Sequence, residues 1–431
     1  MSENLKRKIL NKQAKIAVIG LGYVGLPLAV NFAKAGFQVL GMDKDNDRVA
    51  KLNRKESYIL DVPMKDVREV INRGRLHVTT HSAGLKETDV IIICVPTPIK
   101  RKYTPDISYI VQAVAVIRKF IRKDILIILE STTYPGTTEE LIKPALEKRG
   151  LKAGKDFYLS FSPERIDPGS KKYHLATIPK VVGGVTPQCA ELTKLVYQQI
   201  IKHVHLVSST QAAEMTKLLE NSFRIINIGW INEVAMMCHK LGIDVWEVIQ
   251  AAKTKPFGFM PFYPGLGAGG HCIPEDPLYL YWKARHHGFS SKFIKLAADT
   301  NSHMPLYAVA RIKEILKKKS LARTKILVMG VTYKKDVKDL RKSPSLKLLE
   351  WLKKEQCRVE YYDPIIPFLN ILGIHMTSIV LTGENVEKFD CIIIATDHTN
   401  VNYPLVLKNA RLIFDTRNVY KGIHNKKVVK L

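Results

Sequence analysis

A glycine-rich turn near the amino terminus constrains this chain more than any other feature. The segment "AKIAVIGLGYVGLPLAVNFAKAGFQVLGMDKD" predicts a strand, a turn, a helix from about Gly22 to Ala35 that Gly36 closes, and a second strand that ends at Asp43. The turn has the spacing Gly20-x-Gly22-x-x-Gly25, which brings the backbone close to a pyrophosphate at the helix amino terminus. Asp43 can accept a hydrogen bond from a ribose 2′-hydroxyl and would repel a 2′-phosphate. The pattern therefore predicts NAD, with a nucleotide-free structural turn as the alternative.

The apolar segments that follow continue an alternation of strands and helices. These segments are "HVTT", "DVIIICVPTP", "ILIILESTTYPG" and "FYLSFSPERIDPG". Such an alternation is typical of a parallel sheet that is covered on both faces. Thr97, Thr133 and Glu164 stand at the predicted strand ends. Because ligands of open α/β sheets bind beyond the carboxyl ends of the strands, we expect these three residues to belong to a ligand site.

From about residue 209 the hydrophobic period becomes helical, in "STQAAEMTKLLENSFRIINIGWINEVAMMCHKLG". Gly242 marks the predicted end of this long helix. The spacing places Glu214, Lys217 and Asn221 on one helix face. A solvated polar stripe is the alternative interpretation, above all for Glu214. The apolar residues on the other faces predict a helix bundle or a dimer core.

The carboxyl-terminal part repeats the order of elements at the amino terminus, after a lysine-rich stretch near residue 320. "KILVMG" corresponds to the first strand, "RVEYYDP" ends in Asp363 as the second strand ends in Asp43, and "DCIIIATDH" resembles "DVIIICVPTP". The glycine fingerprint is not repeated. Lys334, Arg341 and Arg417 stand at these strand ends, so we expect side chains to hold anionic phosphates there. The predicted fold is α/β, with two doubly wound Rossmann-like domains joined by a central helical domain with a long helix.

One cysteine lies in an unusual setting, in "GAGGHCIPEDP". The chain has six cysteines and no CxxC spacing, and with no export signal all six are expected to be free thiols. Cys272 directly precedes a predicted helix that ends at Gly288, and a helix amino terminus lowers the pKa of a thiol. This setting predicts a catalytic nucleophile. We expect a structural or surface role for His271, and no metal site, because no second pair of ligands has usable spacing.

A nicotinamide site and a nucleophilic cysteine together indicate aldehyde oxidation. A thiohemiacetal gives up hydride to become a thioester, and water then releases the acid. The groups available as base and oxyanion stabiliser are Asp276, four residues after Cys272, and Lys217 and Asn221 on the long helix. The alternative is a two-electron dehydrogenase of the same fold that does not use Cys272.

The chain resembles the UDP-sugar 6-dehydrogenase family over about residues 14 to 425. The motifs that carry the resemblance are "GLGYVGLPLA", "VPTP", "STTYPGTT", "SPERIDPG", "EMTKLLENSFR", "GGHCIPEDP", "YKKDVKDLRKSP" and "DTRN". Members of the family oxidise C6 of a nucleotide sugar from alcohol to acid with two NAD and keep the aldehyde bound, in polysaccharide biosynthesis. The resemblance implies an NAD-binding domain at 1–208, a helical dimerisation domain with the catalytic cysteine loop at 209–318, and a UDP-sugar-binding domain at 319–431.

The resemblance also implies a role for each predicted site residue. Cys272 would be the nucleophile, Glu164 the acid–base carboxylate and Thr133 the water-binding threonine. Lys217, Asn221 and Asp276 would stabilise the oxyanion and position water. The cofactor-binding residues would be Gly20, Gly22, Tyr23, Val24, Gly25, Asp43, Arg48, Pro96, Thr97, Thr133 and Arg341. The substrate-binding residues would be Glu164, Arg165, Lys217, Asn221, Lys255, Phe262, Tyr263, Gly269, Lys334 and Arg417.

Within the family, "SPERIDPG" and "KPFGFMPFYPGLGAGGHCIPEDP" look most like the UDP-N-acetylglucosamine 6-dehydrogenase branch. UDP-N-acetylglucosamine, oxidised to its uronate, is therefore the first choice of substrate. UDP-glucose, UDP-N-acetylgalactosamine and UDP-N-acetylmannosamine stay open, since one pocket contact can decide between them. Two features depart from the family. Glu275 occupies a position that is often apolar or basic, and Lys253 and Lys255 stand where some relatives use an arginine.

Charge and hydropathy bear on partners and location. The chain has 67 basic and 40 acidic residues, a formal net charge of +27, which a generally basic surface and anionic substrates explain. No nucleic-acid-binding signature is found, so a protein that binds an anionic polymer through a dinucleotide fold is the remote alternative. No segment reaches the ~18 uncharged apolar residues of a membrane span, and no secretory signal is visible. We expect a cytoplasmic homodimer, or a higher homo-oligomer, that binds neither nucleic acid nor membrane.

Overall fold

The computed structural model of the chain describes residues 3–59, 61–100, 103–166 and 175–431. It confirms the predicted α/β class, with two mainly parallel sheets and one long helix. The chain divides into two compact units. The amino-terminal unit comprises Met1–Glu220 and Leu278–Phe289, and the carboxyl-terminal unit comprises Asn221–Pro277 and Ser290–Leu431. The division into three domains at residues 208 and 318 stays a prediction, and the end of "SPERIDPG", from residue 167, lies outside the described residues.

The amino-terminal unit is built on an eight-stranded sheet. Its strands are β1 (Lys15–Ile19), β2 (Gln38–Met42), β3 (Leu76–Thr79), β4 (Val90–Ile93), β5 (Leu126–Leu129), β6 (Tyr158–Phe161), β7 (Lys180–Gly184) and β8 (Val204–Val207). They are ordered β3-β2-β1-β4-β5-β6-β7-β8, and neighbours are parallel except for β6 and β7. The winding reverses between β1 and β4, so a crevice is expected at the carboxyl ends of these two strands. Every residue of β4, β5 and β6 is buried, as parallel strands covered on both faces require.

Helices cover both faces of this sheet, with an apolar cluster on each side. The helix after the glycine turn begins at Gly25, later than the predicted start near Gly22. The helices are α1 (Glu3–Leu10), α2 (Gly25–Lys34), α3 (Asn46–Asn53), α4 (Met64–Asn72), α5 (Ser108–Phe120), α6 (Lys143–Glu147) and α7 (Pro187–Tyr197). The described residues of this unit also form two short 3₁₀ turns, Ala83–Glu87 and Leu175–Thr177, and a π-helical segment, Thr137–Ile142.

The long predicted helix is α8 (Thr210–Leu241), which runs through the boundary between the units at residue 220. It ends before Gly242, as predicted, where the backbone takes a positive φ of 72°. A separate helix, α9 (Val245–Lys253), then begins, and its cap Asp244 accepts a hydrogen bond from the N–H of Trp246. The remaining helices are α10 (Cys272–His286), α11 (Lys292–Ile315), α12 (Pro344–Lys354), α13 (Gly383–Glu387) and α14 (Tyr403–Asn409). In the described part of the chain no helix is both long enough and apolar enough to cross a membrane.

The carboxyl-terminal unit contains the second predicted Rossmann-like sheet. Its strands are β9 (Lys325–Met329), β10 (Arg358–Tyr362), β11 (Phe368–Ile371), β12 (Ile374–Thr377), β13 (Cys391–Ile394), β14 (Ile413–Asp415) and β15 (Val428–Lys430). Five of them form a parallel sheet in the order β10-β9-β13-β14-β15, and β11 and β12 form a separate antiparallel pair. The winding reverses between β9 and β13, which repeats the arrangement of β1 and β4.

The turn after the first strand has the same geometry in both sheets. Gly20 follows β1 with a φ of 92°, and Gly330 follows β9 with a φ of 84°. In each case the backbone N–H of the next residue donates to the aspartate that follows the neighbouring strand, Asp43 or Asp363, at 2.8 Å. The internal repeat therefore includes this hydrogen bond as well as the order of elements.

A buried amide network holds the glycine-rich segment of the carboxyl-terminal unit against two helices. Asn232 on α8 is fully buried, donates to the Asn301 side chain on α11 at 3.0 Å and accepts from the N–H of Gly265 at 2.9 Å. Asn301 in turn donates to the carbonyl oxygens of Ile225 and Ala297. Because these groups lie away from water, each one depends on its partner in the network.

We expect Asn232→Ala to lower the free energy of unfolding by about 2 to 4 kcal/mol, because the Gly265 N–H and the Asn301 oxygen would stay buried without a partner. Asn227→Ala on the same helix is the matched control. Asn227 is half-exposed and donates to the carbonyl of Phe223 one turn earlier, so its loss should cost less than about 0.5 kcal/mol. Chemical denaturation of both variants measures the difference, and equal destabilisation would contradict the role of the network.

Candidate active site

The glycine turn leaves space for a ligand at one glycine and none at the other two. A Cβ atom added to Gly20 would lie 2.6 Å from the carbonyl oxygen of Cys94, and one added to Gly25 would collide with the carbonyl oxygen of Gly20. No atom lies within 4 Å of a Cβ built on Gly22. Gly20 and Gly25 therefore allow close packing of strand and helix, while Gly22 leaves the backbone open. This is the form a dinucleotide pyrophosphate requires.

Asp43, at the carboxyl end of β2, is 7% exposed and is held by three donors. Its carboxylate accepts from the N–H of Leu21 at 2.8 Å and of Asp45 at 3.0 Å, and Arg48 lies 3.4 Å from Oδ2. A carboxylate has about four acceptor sites, so capacity remains for a ribose hydroxyl. The structure thus brings two predicted cofactor residues, Asp43 and Arg48, together at the glycine turn. Tyr23 is 48% exposed beside them.

The threonines that follow β4 and β5, Thr97 and Thr133, are buried, and hydrogen bonds fix the orientation of their hydroxyl groups. The Thr97 hydroxyl donates to the carbonyl of Thr132 at 2.7 Å, and the Thr97 carbonyl accepts from the Tyr279 hydroxyl. The Thr133 hydroxyl lies 2.7 Å from that of Thr137. Thr97 therefore follows β4, one of the two strands at the reversal of the winding, and Thr133 follows the neighbouring strand β5. Pro96, next to Thr97, is exposed.

Glu214 is buried, so the interpretation of this residue as part of a solvated polar stripe is wrong. Its carboxylate accepts from the N–H of Gly136 at 2.6 Å, and from the N–H and hydroxyl of Thr138 at 2.9 and 2.7 Å. The first turns of α8 pack against this turn, which spacing along one helix cannot reveal. Burial raises the pKa of Glu214 to about 7. Lys217, one turn later, is also buried, at 8% exposure.

Glu164 follows β6 and is bound mainly by its own loop. Its Oε1 accepts from the N–H groups of Arg165 and Ile166, both at 2.6 Å, and its Oε2 lies 3.3 Å from Lys180 Nζ. Lys180 also forms a close ion pair with Glu130. Burial raises the pKa of Glu164 and lowers that of Lys180 to about 7. Sequence analysis missed Glu130 and Lys180. Glu130 could have been noticed as a carboxylate directly after an all-apolar strand.

Arg165, predicted to bind substrate, pairs with α8 in this structure. Its guanidinium lies 2.6 Å from the Glu220 carboxylate and donates to the carbonyl of Pro179 at 2.7 Å. This pair fixes the loop that carries Glu164 to the helix that carries Lys217. Arg165 therefore holds the loop in place, and its contact with substrate stays a prediction.

Cys272 is exposed and is the first residue of α10, whereas the sequence predicts it just before the helix. Free N–H groups and the positive end of the helix dipole favour a thiolate at this position. Within the same unit, Asn221 on α8 donates to Asp276 Oδ2 at 2.6 Å, and both side chains are buried. The amide therefore orients the carboxylate that stands one helical turn after the cysteine.

Glu275, which departs from the family pattern, is paired with residues other than Asp276. Its Oε1 lies 2.5 Å from Lys342 Nζ, and its Oε2 lies 3.4 Å from His271 Nε2. Burial lowers the pKa of His271, although the Glu275 charge opposes this effect. His271 therefore contacts Glu275, and its expected structural or surface role stays a prediction. The Glu275–Lys342 pair joins the first turn of α10 to the loop between β9 and α12.

The glycine-rich segment before Cys272 lies against that same loop. The N–H of Gly270 donates to the carbonyl of Arg341 at 3.0 Å, and a Cβ atom on Gly269 would lie 2.6 Å from the Cβ of Tyr333. The Arg341 guanidinium forms a bidentate pair with Asp339 at 2.7 to 3.1 Å. Only glycine at position 269 allows the cysteine segment to approach Tyr333 this closely. The structure therefore joins the cysteine segment to the loop that carries Lys334, which is half-buried.

Arg417, at the end of β14, packs on the same segment further upstream. Its Nε donates to the carbonyl of Ala395 at 2.8 Å, and a Cβ atom on Gly265 would lie 2.6 Å from its guanidinium. The ring centroids of Phe262 and Phe223 are 5.8 Å apart, and the side chain of Tyr263 is 43% exposed. Lys255 is exposed. The described residues contain no group of three or more His, Cys, Asp or Glu side chains that could hold a metal ion.

Comparison with known proteins gives a consistent result over the whole chain. The chain matches the NAD binding domain of the UDP-glucose/GDP-mannose dehydrogenase family at residues 14–201, the central domain at 211–303 and the UDP binding domain at 327–422. It is 36% identical over 415 residues to UDP-N-acetyl-D-mannosamine dehydrogenase of Pyrococcus horikoshii, covering 94% of this chain and 96% of the relative. It is 38% identical over 392 residues to UDP-N-acetyl-D-glucosamine 6-dehydrogenase of Pseudomonas aeruginosa, covering 90% and 91%. A solved UDP-D-ManNAc dehydrogenase from Pyrococcus horikoshii superposes with a TM-score of 0.87 at 35% identity, covering 96% of this chain and 98% of that one.

We expect Asp43→Asn to reduce the preference for NAD over NADP at least tenfold, since the negative charge that repels a 2′-phosphate is lost. Asp45→Asn is the control, because asparagine is as good a helix cap as aspartate and the change lies two residues away. Dissociation constants for both cofactors, from quenching of intrinsic fluorescence, measure the preference. Unchanged discrimination in Asp43→Asn would show that another group reads the ribose.

Proposed function

The chain belongs to the UDP-glucose/GDP-mannose dehydrogenase family and is an NAD-dependent nucleotide-sugar dehydrogenase, and we propose that it oxidises C6 of a UDP-N-acetylhexosamine to the carboxylate. The observation that carries this proposal is the exposed Cys272 at the first position of α10, with the buried Asn221–Asp276 pair one turn away. A two-electron dehydrogenase would need none of these three groups. Their arrangement favours the four-electron reaction.

The proposed reaction converts an alcohol, water and two NAD⁺ into a carboxylate, two NADH and three protons. The C6 hydroxyl first loses hydride and a proton to give the aldehyde. Cys272 then adds to the aldehyde as a thiolate, and the thiohemiacetal loses hydride and a proton to become a thioester. Water hydrolyses the thioester and restores the thiol. The glycine turn after β1 and Asp43 would hold NAD, which would supply the hydride acceptor for each oxidation.

The remaining predicted residues support these steps by charge and hydrogen bonding. Lys217 is a buried ammonium and Asn221 a buried amide, so both suit the oxyanion of the thiohemiacetal and of hydrolysis. Asp276, oriented by Asn221, suits placement of water. Glu164 is the proposed acid–base group, because a buried carboxylate with a raised pKa can accept and return a proton near neutral pH. Thr133 would hold the water.

The nucleotide end of the substrate is assigned to the carboxyl-terminal unit. Lys334 and Arg417 stand at the open edge of its sheet and supply positive charge for the diphosphate. Gly269, Phe262, Tyr263 and Lys255 belong to the segment that leads to Cys272 and would contact the nucleotide sugar. We also propose a homodimer, because α8 exposes large apolar side chains, among them Trp230 at 57% and Leu241 at 72%.

UDP-N-acetylglucosamine is the first proposed substrate and UDP-N-acetylmannosamine the second. The motifs around the cysteine segment favour the first. The relatives named for N-acetylmannosamine support the second at nearly the same identity, 36% against 38%. An epimer differs at one carbon, and one pocket contact can decide between the two sugars.

Purified protein is assayed with NAD and a panel of UDP-sugars, and the absorbance of NADH measures the reaction. We expect two NADH per sugar with one UDP-N-acetylhexosamine. The panel includes UDP-glucose and both N-acetyl epimers, together with UDP-N-acetylgalactosamine. One NADH per sugar would point to an alcohol dehydrogenase that stops at the aldehyde. No NADH from any sugar, with steep salt-dependent retention on DNA, would favour an anionic-polymer binder.

Cys272→Ser should lose acid formation by at least a thousandfold while NAD affinity stays within twofold, because a serine hydroxyl is not ionised near neutral pH and cannot form the thioester. Cys357→Ser is the control, a half-buried cysteine of the same unit with no role in the reaction. Mass spectrometry of the product measures the acid. Acid production at the rate of the unchanged protein would refute the assignment of Cys272 as the nucleophile.

A further inference from the structure

A buried cluster of charged side chains lies beside Glu164 and has no part in the reaction steps described above. Glu130 directly follows β5 and Lys180 begins β7, and their side chains are 0% and 4% exposed. Lys180 forms a close ion pair with Glu130 and lies 3.3 Å from Glu164 Oε2. One ammonium group therefore contacts two carboxylates inside the amino-terminal unit.

The two oxygens of Glu164 have different partners. Oε1 accepts from two backbone N–H groups of its own loop, those of Arg165 and Ile166. Oε2 faces the Lys180 ammonium. The loop therefore fixes one oxygen, and the lysine fixes the rotation and the electrostatic environment of the other.

The remaining groups that face the cluster come from three other elements. Cys94, after β4, donates its thiol to Glu130 Oε2 at 3.7 Å, and the Tyr197 ring on α7 lies 5.0 Å from Lys180 Nζ. Burial raises the pKa of Cys94 to about 12 and that of Tyr197 well above its ordinary value, so both are neutral near pH 7. Lys217 on α8 and Arg165 add positive charge near Glu164, and Arg165 is itself paired with Glu220 on α8.

Net stability is a weak explanation for this arrangement. A buried ion pair can often be replaced by apolar side chains of similar volume at no cost, because desolvation offsets the attraction between the charges. A second carboxylate on the same ammonium adds a further desolvated charge. The direction of the shifts reflects this cost, since burial raises the pKa of Glu164 and lowers that of Lys180. Groups perturbed in this way concentrate at functional sites.

We propose that Lys180, anchored by Glu130, is a positioning residue that orients the Glu164 carboxylate and keeps it ionised for proton transfer. This inference rests on the proposed acid–base role of Glu164. It predicts that two substitutions shift the pKa of Glu164 in opposite directions. Loss of the Lys180 charge favours the protonated form of Glu164. Loss of the Glu130 charge favours the ionised form, because Lys180 then pairs with Glu164 alone and a second negative charge nearby is gone.

The test is the pH dependence of the single-turnover rate of NADH formation with the UDP-sugar that the protein oxidises. In Lys180→Met the acidic limb of the profile should move up by about one pH unit, which is a tenfold loss of rate below that limb. In Glu130→Gln the limb should move down. Lys194→Met is the matched control, since Lys194 pairs with Glu191 on the exposed side of α7, and its limb should not move.

A merely structural role would lower the rate at every pH and leave the limb in place, and that result, or shifts of the same sign in both variants, would overturn the proposal. If a single variant does not fold, the double variant Lys180→Met/Glu130→Gln removes both members of the closer ion pair together, so that neither is left as an unpaired buried charge. Its limb should still move up, because the lost ammonium contacts Glu164 directly, and an unmoved limb would overturn the proposal as well.

Two further measurements separate this inference from the proposed function. Two NADH per sugar from the unchanged protein tests the function alone. Glu164→Gln should remove the acidic limb, and if the limb persists, it belongs to another group and the acid–base role of Glu164 fails. If Glu164→Gln removes the limb and Lys180→Met leaves it in place, only the role of Lys180 fails.

Discussion

Both ligand-binding edges of this protein depend on one backbone constraint, the close approach of the chain after the first strand of each sheet. Gly20 and Gly330 hold positive φ angles where an added Cβ atom would meet the carbonyl of a neighbouring strand end. Asp43 and Asp363 then fix the next N–H group by the same 2.8 Å bond. These bonds fix the turn at the carboxyl edge of the sheet, where ligands of α/β folds bind.

The two sheets differ in how they are equipped to hold phosphate. After Gly20, the open backbone at Gly22 and the amino terminus of α2 suit a pyrophosphate held by N–H groups. After Gly330, the turn carries Tyr333 and Lys334, and the adjacent segments carry Arg341 and Arg417. We propose that side-chain charge takes the place of backbone donors in the second sheet. The tight contact of the cysteine segment with this loop connects the proposed nucleotide site to Cys272 within one unit.

Local features of this structure could be predicted from the sequence, and nonlocal ones could not. The glycine spacing, the apolar strands and the position of Cys272 near a helix amino terminus are properties of short segments, so pattern and propensity sufficed. Glu214 was misinterpreted because its partners lie about 76 residues away along the chain. Glu130 and Lys180 meet across strands that are 50 residues apart. The Glu275–Lys342 pair joins elements that neither the period nor a motif connects.

The central claim is that the second oxidation proceeds through a thioester on Cys272. Acid quenching of the protein during turnover of its UDP-sugar with NAD, followed by peptide mass spectrometry, tests this claim most directly. If the claim is correct, the peptide that contains Cys272 carries an acyl adduct of the nucleotide sugar. Acid product formed with no adduct on that peptide, or with the adduct on another cysteine, would contradict it.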